Sequence, residues 1–273
     1  MDSSRQESPP EMDTTVPHSA RVWNYFLGGK DFYPVDRAAG EQYQAIFPEI
    51  IDIARTDRAF LGRAVRHLAG EAGIRQFLDI GTGLPTMDNT HEVAQRVAPE
   101  SRIVYVDHDP LVLLHANALL TASPEGACAY VDADLRDPDT ILEHAARTLD
   151  LTRPVAIMLL GILHFIPDFD QVRGIVTRLM DAVPSGSHLA LTHATLDLGG
   201  EQTVQANSEA QQAWNEQATD TITPRTHAEV SRFFDGLEPL EPGLVSMSRW
   251  RAEAAPWGEP AEVSGFCGVG RKP

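Results

Sequence analysis

Apolar residues along this chain recur with two different periods, and the change comes near residue 73. From Ser19 to Gly70 the spacing is helical, with Phe60, Leu61, Ala64, Val65 and Leu68 on one stripe. The segment Leu27-Gly28-Gly29-Lys30-Asp31 interrupts that region with a turn. From Gly73 onward short apolar runs alternate with helix-period stretches. Strands are predicted near 75–80, 102–107, 127–132, 154–161 and 187–193, and helices near 86–98, 110–121, 138–149 and 168–182. Pro110 and Pro138 each follow an aspartate able to cap the helix that the proline opens. The near-continuous apolar run from Val155 suits a central strand buried on both faces, and it is too short to cross a bilayer. Thr223-Pro224 restarts a helix that ends near Phe234. A final strand over 263–270 pairs with one around 240–250 as an antiparallel edge hairpin. The pattern predicts an α/β fold, a mostly parallel seven-stranded sheet with helices on both faces.

Domain organisation follows from the same pass. Residues 1–18 are polar and rich in Ser, Pro and Glu, and are expected to form a disordered tail. Residues 19–72 read as an N-terminal helical extension serving as lid or substrate region. The main domain spans 73–273 and carries a polar insertion at 196–224 that holds Trp214. At 273 residues and 42% hydrophobic content the chain can bury a sizeable core. A formal charge of −17, with no basic patch, argues against a nucleic-acid partner. The N-terminal stretch lacks the apolar core of a leader peptide. Cys128 and Cys267 lie far apart in apolar stretches, which suits buried thiols in a reducing cytoplasm, without membrane attachment. A monomer or a homodimer is compatible with this composition.

The segment Phe77-Leu78-Asp79-Ile80-Gly81-Thr82-Gly83-Leu84-Pro85-Thr86 carries the strongest chemical signal. An apolar strand ending in an acid and a Gly-x-Gly turn delivers a nucleotide-like ligand to the mouth of an α/β sheet. Asp79 can accept hydrogen bonds from a ligand amine or hydroxyl, and Gly81 and Gly83 permit close backbone approach. Thr86 stands where a dinucleotide fingerprint has its third glycine, and Pro85 removes a donor that a pyrophosphate would use. A cofactor without phosphate fits better, and S-adenosylmethionine leads. Asp107 ends the second strand, beside His108, where a carboxylate can take both ribose hydroxyls; the plainer reading is a helix cap, a role Asp109 fills better. In Asp132-Ala133-Asp134-Leu135, Asp134 is preferred for an adenine amino group, with Leu135 covering the ring. The fourth strand ends Gly161-Ile162-Leu163-His164, where His164 is either a general base toward a methyl acceptor or a core histidine. Asp107-His108-Asp109 also suggests a metal, but strand alternation points neighbours to opposite faces, so no metal site is expected.

Together these strand ends resemble class I S-adenosylmethionine-dependent methyltransferases. Ala20-Arg21-Val22-Trp23-Asn24-Tyr25-Phe26-Leu27-Gly28-Gly29-Lys30-Asp31, the segment 76–86 and the closing Gly-Val-Gly-Arg-Lys-Pro are similar to an actinobacterial S-adenosyl methyltransferase family. The resemblance covers residues 19–273. It implies a Rossmann-like fold, S-adenosylmethionine bound at the strand ends and methyl transfer to an unidentified small-molecule acceptor. A common family form has Asp where this chain has Asn24. The Gly28-Gly29-Lys30 turn either brings N–H groups and a cation to the cofactor carboxylate, with Tyr25 alongside, or is only a turn between helices. Tyr25, Tyr33, Trp214 and His164 are candidate acceptor contacts. A different class of function, a cofactor-sensing regulator or partner subunit without transferase activity, would keep Asp79, Gly81, Gly83 and Asp107 but lack an acceptor pocket. An NAD-linked oxidoreductase is disfavoured by Pro85 and Thr86.

Overall fold

A computed structural model of the chain describes residues 13–119, 123–253 and 258–273. The first three helices, α1 (Ser19–Phe26), α2 (Pro34–Ile46) and α3 (Ile50–Gly70), precede the sheet. Strands β1 (Gln76–Ile80), β2 (Arg102–Asp107), β3 (Ala127–Asp132), β4 (Ala156–Leu160) and β5 (His188–Ala194) then alternate with α4 (Thr90–Val97), α5 (Pro110–Leu119), α6 (Pro138–Ala145) and α7 (Phe169–Asp181). After β5 come α8 (Glu201–Asn215), α9 (His227–Ser231), β6 (Glu238–Pro239), β7 (Val245–Ser246) and β8 (Gly265–Arg271).

The sheet runs β3-β2-β1-β4-β5-β8-β6, with β7 also paired to β8. Strands β1 to β5 are parallel, and β8 is antiparallel to β5. Period-two alternation sorts the strand side chains into two cores. Phe77, Ile103, Tyr105, Ala156 and Met158 face α1–α4 and α8, whereas Leu78, Ile80, Val104, Ile157 and Leu159 face α6, α7 and α9. Each of these apolar strand residues is at most 5% exposed, and each Val, Leu, Ile, Phe or Met among them contributes on the order of 1.5–3 kcal/mol by burial.

The structure departs from the pattern-based reading at three elements. Eight strands replace the expected seven, because the strand expected over 240–250 is split into β6 and β7. Pro239 and Pro242 lack the N–H groups a continuous ladder needs, and Gly243 turns back to bond the Leu240 carbonyl at 2.8 Å. The helix expected from residue 86 starts at Thr90, since Asn89 and Glu92 make a better start than Pro85; the Asn89 N–H donates to Glu92 Oε2 at 2.8 Å. The helix expected to restart at Thr223 begins at His227 behind a Thr226 cap, because the Arg225 N–H is taken by the Ala194 carbonyl.

Of the expected tail, residues 1–12 lie outside the described residues. Asp13–His18 form an extended strap: the Arg21 guanidinium donates to the carbonyls of Asp13 and Val16, both at 3.1 Å, and the His18 N–H donates to the buried Asp36 at 2.9 Å. No helix among the described residues is long and apolar enough to cross a membrane. Both cysteines are free; Cys267 is buried in β8 and Cys128 is half-buried on the edge strand β3.

Candidate functional site

Strand order reverses between β1 and β4, so the loops that follow them part in opposite directions and leave a crevice at their carboxyl ends. A cavity occupies this crevice. Its floor is Asp79, Gly81–Gly83, Asp107 and Leu160–Ile162; Asp57, Arg58 and Leu61 of α3 form a wall, and Trp23, Trp214 and Ile222 the roof. Gly81 sits at φ +74°, and a Cβ there would come within 2.5 Å of the Ile162 side chain. Only glycine lets the two loops meet this closely.

Asp107 closes the ring of backbone around the crevice. Its Oδ2 accepts from the Gly83 N–H at 2.8 Å, and its Oδ1 accepts from the N–H groups of His108 (2.8 Å) and Asp109 (3.0 Å). Burial pushes its pKa up, and those N–H groups pull it back. Helix α5 is capped by Asp109, whose Oδ1 accepts from the Leu111 N–H at 2.8 Å, so Asp107 is left to face the cavity. Next to it a smaller recess is lined by Asp107, His108, Asp134, Leu135, Ile162 and Phe165. Asp134 is held by the Arg136 N–H at 2.8 Å, and Asp132 is exposed and stands outside both spaces.

Asp79 is the fourth residue of β1 and therefore points to the α3–α4 side of the sheet. Its Oδ2 accepts from Thr90 Oγ1 at 2.6 Å, and burial raises its pKa to about 6. Arg58 donates to the Met87 carbonyl at 3.2 Å and to Asn89 Oδ1 at 2.8 Å, which pins the loop 81–89. His164 lies in a short helical turn after β4 and lines the cavity; its Nδ1 is buried without a partner. Burial, reinforced by His193 and Arg225, holds its pKa well below the usual histidine range, so the ring is neutral. Behind it the buried Arg225 donates to the carbonyls of Leu163 (3.2 Å), Ile166 (2.6 Å) and Pro167 (3.3 Å) and contacts His193 Nε2 at 2.9 Å. Because arginine only donates, His193 carries its proton on Nδ1, which bonds the Ala194 carbonyl at 2.8 Å.

Asp79, Gly81, Gly83, Asp107, His108, Gly161 and His164 are thus brought to one cavity, with Asp134 and Leu135 in the adjoining recess. Tyr25, Gly29 and Lys30 are not brought there. Tyr25 packs edge-on to Phe32 and against Gly40 of α2. Gly29 lies so close to the Asn24 side chain that a Cβ would collide with it, and Lys30 is exposed. The turn after α1 folds back on its own helix, with Asn24 Oδ1 accepting from the Asp31 N–H at 3.1 Å. Of that motif, Ala20, Val22, Trp23, Asn24, Phe26 and Leu27 line the cavity, all of them before the Gly28-Gly29-Lys30 turn. Tyr33 stacks under the Arg21 guanidinium instead of lining it, and Trp214 does line it.

Pattern reading missed Asp57, Arg58, Thr192, His18 and Ile222. Asp57 did carry a signal: it is an acid three residues before Phe60 and four before Leu61, on the apolar stripe itself. His18 caps the cavity from the strap, its Nδ1 lying 2.9 Å from Asp109 Oδ2. Burial alone would lower the His18 pKa, but the Asp109 contact outweighs it and raises the value. Ser19 Oγ donates to Asp220 Oδ2 at 3.0 Å, joining the strap to the loop after α8. Among the described residues no three His, Cys, Asp or Glu side chains gather as a metal site would require.

The donor set suits a ligand that combines hydroxyl and amine donors with an aromatic ring. Carboxylates at Asp107 and Asp134 accept, while Ile162, Phe165 and Leu135 offer apolar faces. Arg58, already committed to the 81–89 loop, is the only Lys or Arg lining the main cavity among the described residues. A doubly wound sheet with a crevice at its switch point is the Rossmann-like architecture. A family model described as S-adenosyl methyltransferase matches residues 5–273, and the chain belongs to that family. It is similar to a DUF574 family protein from Streptomyces avermitilis, at 45% identity over 96% of this chain and 100% of that one, with a TM-score of 0.91. A protein from Thermobifida fusca, solved as a candidate methyltransferase, is 42% identical over 97% of this chain and 98% of its own, with a TM-score of 0.86. A methyltransferase from Anabaena variabilis shares the fold at 14% identity and a TM-score of 0.50, covering 98% of this chain and 100% of that one. No curated protein matches the chain. The protein is a methyltransferase that uses S-adenosylmethionine.

Proposed function

We propose that Asp107 holds the ribose hydroxyls of S-adenosylmethionine, that Asp134 and Leu135 bind its adenine, and that Gly81–Gly83 with Asp79 and Arg58 surround its amino-acid end. The observation that carries this reading is the Gly83–Asp107 hydrogen bond. It ties the ends of two central strands around one cavity-facing carboxylate. When bound, the cofactor supplies a methyl group on a positively charged sulfur, an electrophile that needs no further activation. The protein's part is alignment and exclusion of water, and proximity of this kind is worth about 7–11 kcal/mol. Trp23, Trp214 and Ile222 close the roof, and the neutral His164 is placed to accept a hydrogen bond from the acceptor.

The acceptor in this reading is a small molecule, because the roof of α1 and α8 encloses the reactive end of the cavity and the −17 charge disfavours nucleic acid. The free cysteines suit a cytoplasmic setting. The decisive experiment is titration calorimetry of S-adenosylhomocysteine against wild type and Asp107→Ala. Micromolar binding by wild type, weakened at least ~10-fold in the variant, is expected from loss of hydrogen bonds to a charged acceptor. Equal binding by both proteins would overturn the ribose assignment.

A further inference from the structure

Beyond the cofactor half, the cavity continues between α3, the ends of β4 and β5, and α8. This second chamber is lined by Trp23, Ile50, Asp57, His164, Thr192 and Ile222, with Asn207 and Gln211 at its far side. The two amides are satisfied: Gln211 donates to Asn207 Oδ1 at 3.0 Å, and Asn207 donates to the Thr195 carbonyl at 3.4 Å. Three other buried polar side chains meet in the chamber: His164 Nδ1 has no partner, and Asp57 and Thr192 lie side by side, the Thr192 hydroxyl being the hydrogen-bond donor that offsets part of the burial cost of the Asp57 carboxylate. Thr192 is only 1% exposed. Buried polar atoms ordinarily find partners, so a carboxylate served by one hydroxyl beside an unpaired imidazole nitrogen keeps acceptor capacity for a ligand.

All three can accept a hydrogen bond: a carboxylate always, a hydroxyl through its lone pairs, and a neutral imidazole through its unprotonated nitrogen. We propose that Asp57, Thr192 and His164 recognise an amine on the methyl acceptor, whose apolar body lies against Trp23, Ile50 and Ile222. A primary ammonium carries three N–H donors and one positive charge, which matches three acceptors of which one is an anion. A carboxylate or phosphate would meet Asp57 with no cation of the chamber to offset it. Asp57 bears the cost of burial, its pKa being raised to about 6, and an ammonium partner relieves that cost. The assignment rests on the reading of the other half of the cavity as the cofactor site.

The test separates the two halves. Wild type and Asp57→Asn, similar in size and without the buried charge, are titrated with S-adenosylhomocysteine and with methylthioadenosine, which lacks the amino-acid end. Benzylamine, benzyl alcohol and benzoate are then titrated into the S-adenosylhomocysteine-loaded proteins, with Thr192→Val as a second variant. The expected result is unchanged S-adenosylhomocysteine affinity in Asp57→Asn, within twofold. Saturable benzylamine binding by wild type should weaken at least tenfold in Asp57→Asn and measurably in Thr192→Val. Loss of S-adenosylhomocysteine affinity in Asp57→Asn with methylthioadenosine unaffected would overturn the proposal, because Asp57 would then hold the cofactor's own amine. Equal binding of benzoate or benzyl alcohol, or no benzylamine binding, would overturn it as well. Failure of wild type to bind S-adenosylhomocysteine would sink the cofactor reading instead, and benzylamine titration of the unloaded protein would then decide Asp57 alone.

Discussion

Asp79 shows how a strand end trades stability for a buried charge. Its folded pKa, about 6 against an ordinary 3.8, means that the native state holds more protons than the unfolded chain between about pH 4 and 6. Stability therefore falls as pH rises through that window, and the full loss is present above it. Asp79→Asn keeps an acceptor for Thr90 Oγ1 and removes the charge. It should be more stable than wild type by about 1–3 kcal/mol in urea unfolding at pH 7.5, with the difference vanishing near pH 4. A variant less stable at pH 7.5 would contradict this. Single residues were legible in the sequence where strand periodicity and a glycine pair located them, as at Asp79, Gly83 and Asp107. Asp57 was harder, because an acid on a helical stripe looks like a break in the pattern until the sheet beneath it is known. The Gly28-Gly29-Lys30 turn misled for a local reason: its glycine makes room for Asn24, a contact within the same motif.

At the level of elements, Arg225 holds the loop after β4 to the end of β5. One guanidinium serves three carbonyls and a histidine nitrogen, with no carboxylate in contact. Arg225→Met leaves those acceptors buried and unpaired, at about 1–3 kcal/mol for each group, with incomplete additivity. A loss of about 3–5 kcal/mol in urea unfolding is expected, together with weaker S-adenosylhomocysteine binding, since the same loop carries His164 and Ile162. Arginine in a polar stretch gives no sequence signal of such a role. The central parallel strands were legible because burial on both faces leaves long apolar runs, and β8 because it pairs along its whole length with β5. The pairs at β6 and β7 are two residues each, too short to show a period. Helix starts were displaced wherever a capping side chain a few residues downstream outcompeted a proline.

Over the whole molecule, the parallel sheet with helices on both faces could be read from pattern alone, whereas the roof could not. It is assembled from the strap, α1 and the loop after α8, segments some two hundred residues apart in the chain that meet at the Ser19–Asp220 hydrogen bond. The end of α8 holds that loop: Trp214 Nε1 donates to the Asp220 carbonyl at 2.6 Å, and Asn215 brackets Ile222 with two hydrogen bonds. His18 adds its contact with Asp109, and its raised pKa fixes the sign of the pH effect. The charged form of that contact is complete below the ordinary histidine value and is lost as pH rises through the raised one. A cavity roofed in this way has a seam, and occupants must pass through it in both directions. Loosening a seam speeds entry and exit alike and leaves affinity nearly untouched. Trp23 and Trp214, both facing the cavity, are built-in fluorophores for following that traffic by stopped flow. Ser19→Ala should raise the association and dissociation rates of S-adenosylhomocysteine by similar factors, and alkaline pH should do the same in wild type but not in His18→Ala. The contacts that hold this seam lie in the strap, the first turn of α1 and the loop after α8, away from the atoms that react.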